Sequence, residues 1–318
     1  MKKGFKTLLI AVGTIILLVI LFLLFSFVRH QFCLNREMAY CTPPGEMVEV
    51  DGHHMSVYVE GEGPHTLVFL AGGGTSSPIL DFRSLYSLLS GEYRIAVVEK
   101  FGYGFSDVAD SPRDIDTILR QTRTALQKAG VEGPYVLCPH SMSGIEALYW
   151  AQQYPQEVTA IIGLDMAVPD YYDVMEFSIP MLKLSRIAAE LGVTRWMTGV
   201  AESDAILHGT LTEEEKNIYR AVFYNRTATA PMIREAESIR ENAAIVEAGG
   251  IPDVPMLLFV SDGSGGTGLD PATWRSIPQA YIQNAPNALI LELDCPHYVH
   301  DYLYNNISQV IRSYLMAL

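Results

Sequence analysis

A serine stands where a strand-like run meets a helix-like one. Tyr135-Val136-Leu137-Cys138-Pro139 is apolar and short enough for a strand, Met142–Tyr154 reads as a helix, and His140 and Ser141 lie at the junction. Such a sharp turn lifts the hydroxyl above the sheet and aims the free N–H groups of the helix N-terminus at a developing negative charge. The residues two before and two after must be small, because the two backbones nearly touch. Pro139 and Ser143 are small, although neither is glycine. Ser143 is the poorer nucleophile candidate, since Ile145 would then hold its small position. Taken alone, the junction serves equally well as a helix cap built from Ser141.

Two further segments suit the same chemistry. Gly72-Gly73-Gly74 follows the apolar run Thr66–Leu70, and glycines there let a backbone N–H approach a reacting carbonyl. Cys295-Pro296-His297-Tyr298-Val299-His300 follows the last strand-like run, where a base can reach across to the serine. Glycine loop, serine turn and late histidine in this chain order suit acyl transfer: His297 takes the Ser141 proton, the oxygen attacks a carbonyl, and water releases the acyl group. That chemistry needs no metal and no organic cofactor.

The elements that must hold these residues follow an alternating pattern. Glu46–Val50 and His54–Glu60, joined by Asp51-Gly52, predict a hairpin. Thr66–Leu70, Arg94–Glu99, Tyr135–Pro139, Val158–Asp165, Pro255–Ser261 and Ala288–Leu293 read as further strands, with helices between them and a last helix over Tyr298–Leu315. Ser111-Pro112 predicts the start of a helix whose inner face carries Ile115, Leu119, Thr122 and Leu126. Strands apolar throughout suit a parallel sheet covered on both faces. The alternation breaks over residues 169–250, which are helical in character and include the acidic helix start Thr212-Glu213-Glu214-Glu215. This stretch reads as a helical cap inserted after the sixth strand, or in part as ordinary surface helices.

With these elements in order, the chain resembles the α/β-hydrolase superfamily over essentially all of 46–318. Phe101-Gly102-Tyr103-Gly104-Phe105-Ser106-Asp107 is similar to that family's G-x-G-x-S turn, His140-Ser141-Met142-Ser143-Gly144 to its H-S-M-G-G elbow, and His297-Tyr298-Val299-His300 to its G-H-Y-x-H segment. The resemblance implies a mostly parallel sheet of about eight strands flanked by helices, Ser141 as nucleophile, His297 as base, and the backbone N–H groups of Gly73 and Met142 as oxyanion donors. The chain departs from the pattern at Ala71, Pro139, Ser143 and Pro296. The acid partner has two candidates. The family's usual place, past the seventh strand in a G-x-x-D pattern, offers Asp262, two residues early if Ser261 takes the glycine position. Leu164-Asp165-Met166-Ala167-Val168-Pro169 resembles members, haloalkane dehalogenases among them, that carry the acid at the end of the sixth strand. Asp165 is the preferred reading and Asp262 the alternative.

Leu8 to Val28 is a run of 21 residues without formal charge. At ~1.5 Å per residue it spans about 30 Å, a bilayer's hydrocarbon thickness. It is longer than a signal peptide's apolar region, and Ser26-Phe27-Val28-Arg29-His30 is a poor cleavage context, so it reads as an uncleaved anchor. Lys2, Lys3 and Lys6 before it outweigh Arg29 and Arg36 after it, which predicts a cytoplasmic tail over 1–7 and an extracytoplasmic body. Residues 29–45, ending in Pro43-Pro44-Gly45, read as a stalk. The net charge of −14 argues against nucleic-acid binding. No cysteine pair has zinc-site spacing; Cys33 and Cys41 could pair or stay reduced, and Cys138 and Cys295 sit in apolar strands. Three functions compete. An esterase, lipase or thioesterase would act on a small or lipid-derived acyl substrate, in keeping with the anchor and with Tyr171, Tyr172, Phe177 and Met181, side chains equally suited to core packing. A peptidase of the proline-iminopeptidase kind would need a carboxylate in the cap for a free amine. A non-catalytic binding or sensor protein would keep only the fold.

Overall fold

The computed structural model describes residues 2–283, 285 and 287–318. Eight strands form one sheet: β1 Glu46–Val50, β2 His53–Glu60, β3 Thr66–Leu70, β4 Arg94–Glu99, β5 Tyr135–Pro139, β6 Val158–Leu164, β7 Met256–Val260 and β8 Ala288–Glu292. Their order is β1-β2-β4-β3-β5-β6-β7-β8. The hairpin forms as expected: Val50 pairs with His53, and Asp51 and Gly52 both take positive φ, 53° and 80°, the two-residue turn that matches strand twist. β2 runs antiparallel to β4, and every pair from β4 through β8 is parallel.

The sheet buries both faces because its strands are apolar on both. Val68 and Leu70 of β3 enter one core with Val98 and Leu137, while Leu67 and Phe69 enter the other with Val97 and Val136. The first core is covered by helices Ile115–Lys128, Ser143–Gln153 and Ala230–Ala248; the second is covered by Arg83–Leu89 and Tyr304–Leu315. The chain leaves β3 toward β4 on one side and returns to β5 on the other. The crevice between the C-terminal ends of β3 and β5 is therefore the switch point at which open α/β sheets bind ligands.

Two helix boundaries differ from expectation. The helix after Ser111-Pro112 begins only at Ile115, with Asp114 as cap accepting the Thr117 N–H at 2.9 Å. Arg113 is drawn into the interior toward Glu235 and Gln121, which keeps the preceding backbone extended. The last helix divides into Val299–Tyr302 and Tyr304–Leu315 at Leu303, where φ is −120° and ψ 28°. Its first turn is held to other elements by His300–Asp81 and Tyr302–Asp204 contacts.

Between β6 and β7 lie helices Tyr171–Val174, Ile179–Glu190, Asp204–Leu207, Glu213–Arg226 and Ala230–Ala248, with a 3-10 turn at Val193–Trp196. Thr212 and Glu215 close a reciprocal capping box at the acidic start. Ile239, Ala243 and Val246 belong to the main core, so the last of these helices packs as an ordinary layer helix. Glu235 on it ion-pairs with Lys100 and Arg113 in the interior and accepts the Tyr103 hydroxyl at 3.0 Å. Buried charges are tolerated there because each is paired.

The N-terminal helix is continuous from Lys2 to Met38 and is long and apolar enough to cross a membrane. The first ten residues of the segment expected as a stalk are thus helical, since no helix breaker precedes Pro43. They dock on the body: Arg195 grips Glu37 with two hydrogen bonds of 2.8 and 2.6 Å and donates to His30 Nδ1 at 2.8 Å. Cys33 and Cys41 are free thiols, Cys41 buried beside Phe105 and Val222.

Candidate active site

β5 ends at Pro139 and the next helix begins at Ser143, leaving Ser141 at the turn with φ 52°. A non-glycine residue in the left-handed region is strained, and here surrounding contacts impose it. The Ser141 carbonyl accepts from Ala167 N–H at 2.8 Å and Gly144 N–H at 3.0 Å. A Cβ at Gly144 would lie 2.1 Å from the Ala167 carbonyl oxygen, so that residue must be glycine. Ser143 is accommodated because its hydroxyl is fully used. It donates toward the carbonyls of Leu70 (2.6 Å) and His140 (2.8 Å) and accepts from the His140 N–H at 3.1 Å. Ser143 thus ties the elbow to β3. Pro139 costs no ladder bond at the strand's end, where the His140 N–H bonds Leu70 O at 2.9 Å instead.

The glycine loop after β3 passes close by. A Cβ on Gly72 would stand 2.7 Å from Ser141 Cβ, and one on Gly73 would stand 2.2 Å from Met142 Cε. Among the described residues, the amides of Gly73 and Met142 donate to no protein acceptor. The neighbouring Gly74 N–H is held by Tyr103 Oη at 3.4 Å. The Gly102–Asp107 turn steadies this region: Ser106 Oγ bridges Glu99 O and Ser56 N–H, and the Glu99 carboxyl accepts from Phe105 N–H.

His297 follows β8. Its Nδ1 lies 2.6 Å from Asp165 Oδ2, and both side chains are buried. Asp165 sits just past β6, again at positive φ, 52°. Its Oδ1 accepts from Ser261 N–H (2.7 Å) and Trp274 Nε1–H (2.9 Å), and its Oδ2 accepts the Ser261 hydroxyl at 2.5 Å. Together with His297, these donors enclose the carboxylate. Facing an acceptor, His297 Nδ1 carries the proton, which leaves Nε2 free to accept one. The His297 N–H bonds Ser264 O at 2.9 Å, and Trp274 stands edge-on to the imidazole at 5.4 Å. Asp262, the alternative acid, points elsewhere. It caps the turn to Ser264, whose hydrogen bonds hold its carboxyl below the usual range, and it makes no contact with His297.

His140 packs against His297 and His300, with ring centroids 4.6 and 4.8 Å away. Burial, reinforced by the two neighbouring imidazoles, pushes it well below its ordinary pKa and keeps it neutral. Its Nε2 meets the His297 carbonyl at 3.3 Å, an acceptor, so the proton sits on Nε2 and the contact steadies the loop that carries His297.

Ser141 and His297 line one cavity of about 120 Å³, with Gly73 and Met142 on one side and Tyr172, Met175 and Phe177 on the cap side. No carboxylate appears in its wall among the described residues. The Ser141 hydroxyl makes no hydrogen bond to a described residue, an openness common in unliganded sites. Among the described residues, one cluster of possible cation ligands lies behind it: Asp81, His300 and Asp301 bring ligand atoms within 4.8 Å of one another. Asp81 is already engaged by Tyr219 Oη and His300 Nε2. Burial, with Asp81 and Asp204 nearby, raises the Asp301 carboxyl far above its usual pKa.

Ser261 and Trp274 are the site residues that sequence reasoning missed. Ser261 had a signal, since it occupies the glycine position of the alternative acid motif; its hydroxyl instead donates to Asp165, just past β6. Trp274 had none, because its indole reaches Asp165 from a helix more than a hundred residues away.

Comparison with known proteins agrees with this architecture. Residues 65–241, more than half of the chain, match the alpha/beta hydrolase fold family. The uncharacterized protein YbdG of Bacillus subtilis strain 168 is 40% identical over 269 residues, which cover 82% of this chain and 83% of that protein. The crystal structure of epoxide hydrolase VrEH1 from Vigna radiata superimposes with a TM-score of 0.68 at 19% identity, covering 86% of this chain and 98% of that one. A putative lipase from Acinetobacter baumannii AYE gives 0.65 at 16% identity, covering 91% and 96%. Sheet order, elbow and family match together identify the chain as a member of the α/β-hydrolase fold family.

Proposed function

We propose that the protein is a membrane-anchored serine hydrolase that cleaves an ester-type acyl substrate through an acyl-enzyme on Ser141. The observation that carries this reading is the buried His297–Asp165 pair, 2.6 Å apart, opening onto the same cavity as Ser141 and the uncommitted amides of Gly73 and Met142. In the first half-reaction His297 Nε2 takes the Ser141 proton as Oγ attacks the carbonyl carbon. The oxyanion receives the two amides, and the leaving alcohol departs with the proton held by His297. Water then repeats the sequence with the acyl group, releasing the acid and restoring the Ser141 hydroxyl. Asp165 fixes the His297 tautomer and stabilises the imidazolium.

The wall without a carboxylate favours an ester over a peptide with a free amine, because nothing in it pairs with an ammonium. A cavity of about 120 Å³ suits the reacting end of a substrate better than a whole drug-sized ligand, which takes ~300 Å³ or more. Residues 8–28 span the membrane in this reading, with the N-terminus cytoplasmic and the hydrolase domain outside.

A fluorophosphonate probe tests the reading without knowledge of the substrate. Full-length protein takes the label and Ser141→Ala does not. A parent protein that stays unlabelled would leave a non-catalytic member of the fold as the better account.

A further inference from the structure

The anchor helix and the cap touch at a telling height. Trp196, on the 3-10 turn of the cap, packs against Phe22 and Phe25 with ring centroids 5.6 and 6.2 Å away, and its Nε1 donates to Ser26 Oγ at 3.0 Å. Phe22 lies six residues inside the apolar run that ends at Val28, roughly 9 Å along the helix axis. A residue of the folded body therefore stands beside a part of the anchor that is within the bilayer. Arg29, the first charge after the run, lies over the same indole at 4.8 Å, as befits the membrane–water boundary. None of this depends on which side of the membrane the body occupies.

The neighbouring cap surface is apolar where a soluble protein would be polar. Met181, Leu184 and Ile187 on helix Ile179–Glu190, with Trp196 and Met197, are each 47–58% exposed. The other face of that helix meets the anchor where the apolar run ends: Arg186, Ala189 and Glu190 line a groove against Phe27, His30, Gln31 and Leu34. At about 100° per residue, Met181, Leu184 and Ile187 point away from that groove. Met175 and Phe177, which wall the catalytic cavity, lead directly into this helix.

We propose that the cap is seated in the bilayer interface through Met181, Leu184, Ile187, Trp196 and Met197, and that the site draws an acyl lipid from the leaflet along Met175 and Phe177. The first half rests on the reading of residues 8–28 as a membrane anchor, and the second also on the serine-hydrolase reading. Apolar side chains beside a membrane-spanning helix gain by leaving water for the acyl boundary, as interfacial helices do.

The test uses the full chain in phosphatidylcholine–phosphatidylglycerol vesicles. Trp150 and Trp274 are buried in the body, so Trp196 is the tryptophan within reach of lipid, and Trp196→Phe serves as the blank. Phosphatidylcholine brominated on the upper acyl chain quenches the parent and not Trp196→Phe. In the variant M181D/L184D/I187D, none of whose sites lines the cavity, turnover of vesicle-borne 4-methylumbelliferyl palmitate falls by about ten-fold or more. Turnover of the water-soluble acetate and fluorophosphonate labelling stay at the parent level. Absence of quenching overturns the seating, and a parent that is dimeric while the triple variant is monomeric assigns the face to a second copy. Quenching with unchanged palmitate turnover overturns delivery from the leaflet. Quenching in a protein that neither labels nor turns over either ester supports the seating and removes the hydrolase reading alone.

Discussion

Replacing Asp165 by Asn puts the proposed acid to a demanding test, because the exchange keeps the shape while it removes the charge and turns one acceptor oxygen into an NH2 donor. The carboxylate accepts four hydrogen bonds: Ser261 N–H and Trp274 Nε1–H on Oδ1, and the Ser261 hydroxyl and His297 Nδ1–H on Oδ2. An amide must keep its oxygen at the Oδ1 position, where both partners are obligate donors. Its NH2 then faces Ser261 Oγ and His297. The serine hydroxyl can rotate to accept, whereas the imidazole can accept on Nδ1 only by moving its proton to Nε2. A protonated Nε2 cannot take the proton of Ser141. The expected loss is about 10⁴-fold in turnover, the size found for the same exchange in the serine-protease triad, or ~5 kcal/mol of transition-state stabilisation. The assay is hydrolysis of p-nitrophenyl acetate by the full-length variant, with circular dichroism and thermal unfolding to show that the fold persists. Asp165→Asn within ten-fold of the parent would refute this reasoning. Combined with a crippled Asp262→Asn, that result would move the acid to the end of β7.

Other expectations follow from the same geometry. Ser143→Ala keeps fluorophosphonate labelling of Ser141 while lowering stability by about 1 kcal/mol, since a buried hydroxyl serving as both donor and acceptor is lost; an unlabelled but folded Ser143→Ala would make Ser143 the nucleophile. Gly144→Ala drives a Cβ against the Ala167 carbonyl oxygen and lowers the melting temperature far more than Ser143→Ala, and equal melting temperatures would contradict the close approach. Burial pushes the Glu99 carboxyl up to about 7, from an ordinary value of 4.5, so the folded state keeps a proton that the unfolded chain has already lost. Stability from this group is full below about pH 4.5 and is lost as pH rises through 7, by on the order of 3 kcal/mol, and melting curves of Glu99→Gln should lack that decline. Protease added to intact cells is expected to remove the body and spare the first ~30 residues; a body protected until the membrane is opened would reverse the topology.

The sequence by itself determined whatever depends on neighbours along the chain. Strand runs, the Asp51-Gly52 hairpin, the Thr212 helix start and the long apolar N-terminal helix are local patterns, and each is found where its residues predicted it. The serine turn was legible for the same reason, since a strand meeting a helix within a few residues is a local event. Its departures from glycine could not be judged from sequence, because Ser143 is explained by a carbonyl at Leu70, on another strand. The choice of acid rested on a preference for Asp165 over Asp262 for a like reason. Asp165 and Asp262 both follow strands that end at the same edge of the sheet, and only packing reveals that one is enclosed by His297, Ser261 and Trp274 while the other caps a surface turn. That residues 29–38 continue the helix and lie against the body was not legible locally, because Arg195, which holds Glu37 and His30, comes alongside only through the fold. Hydrogen bonds and burial act through space, and for residues more than a hundred positions apart that proximity exists only once the sheet has formed.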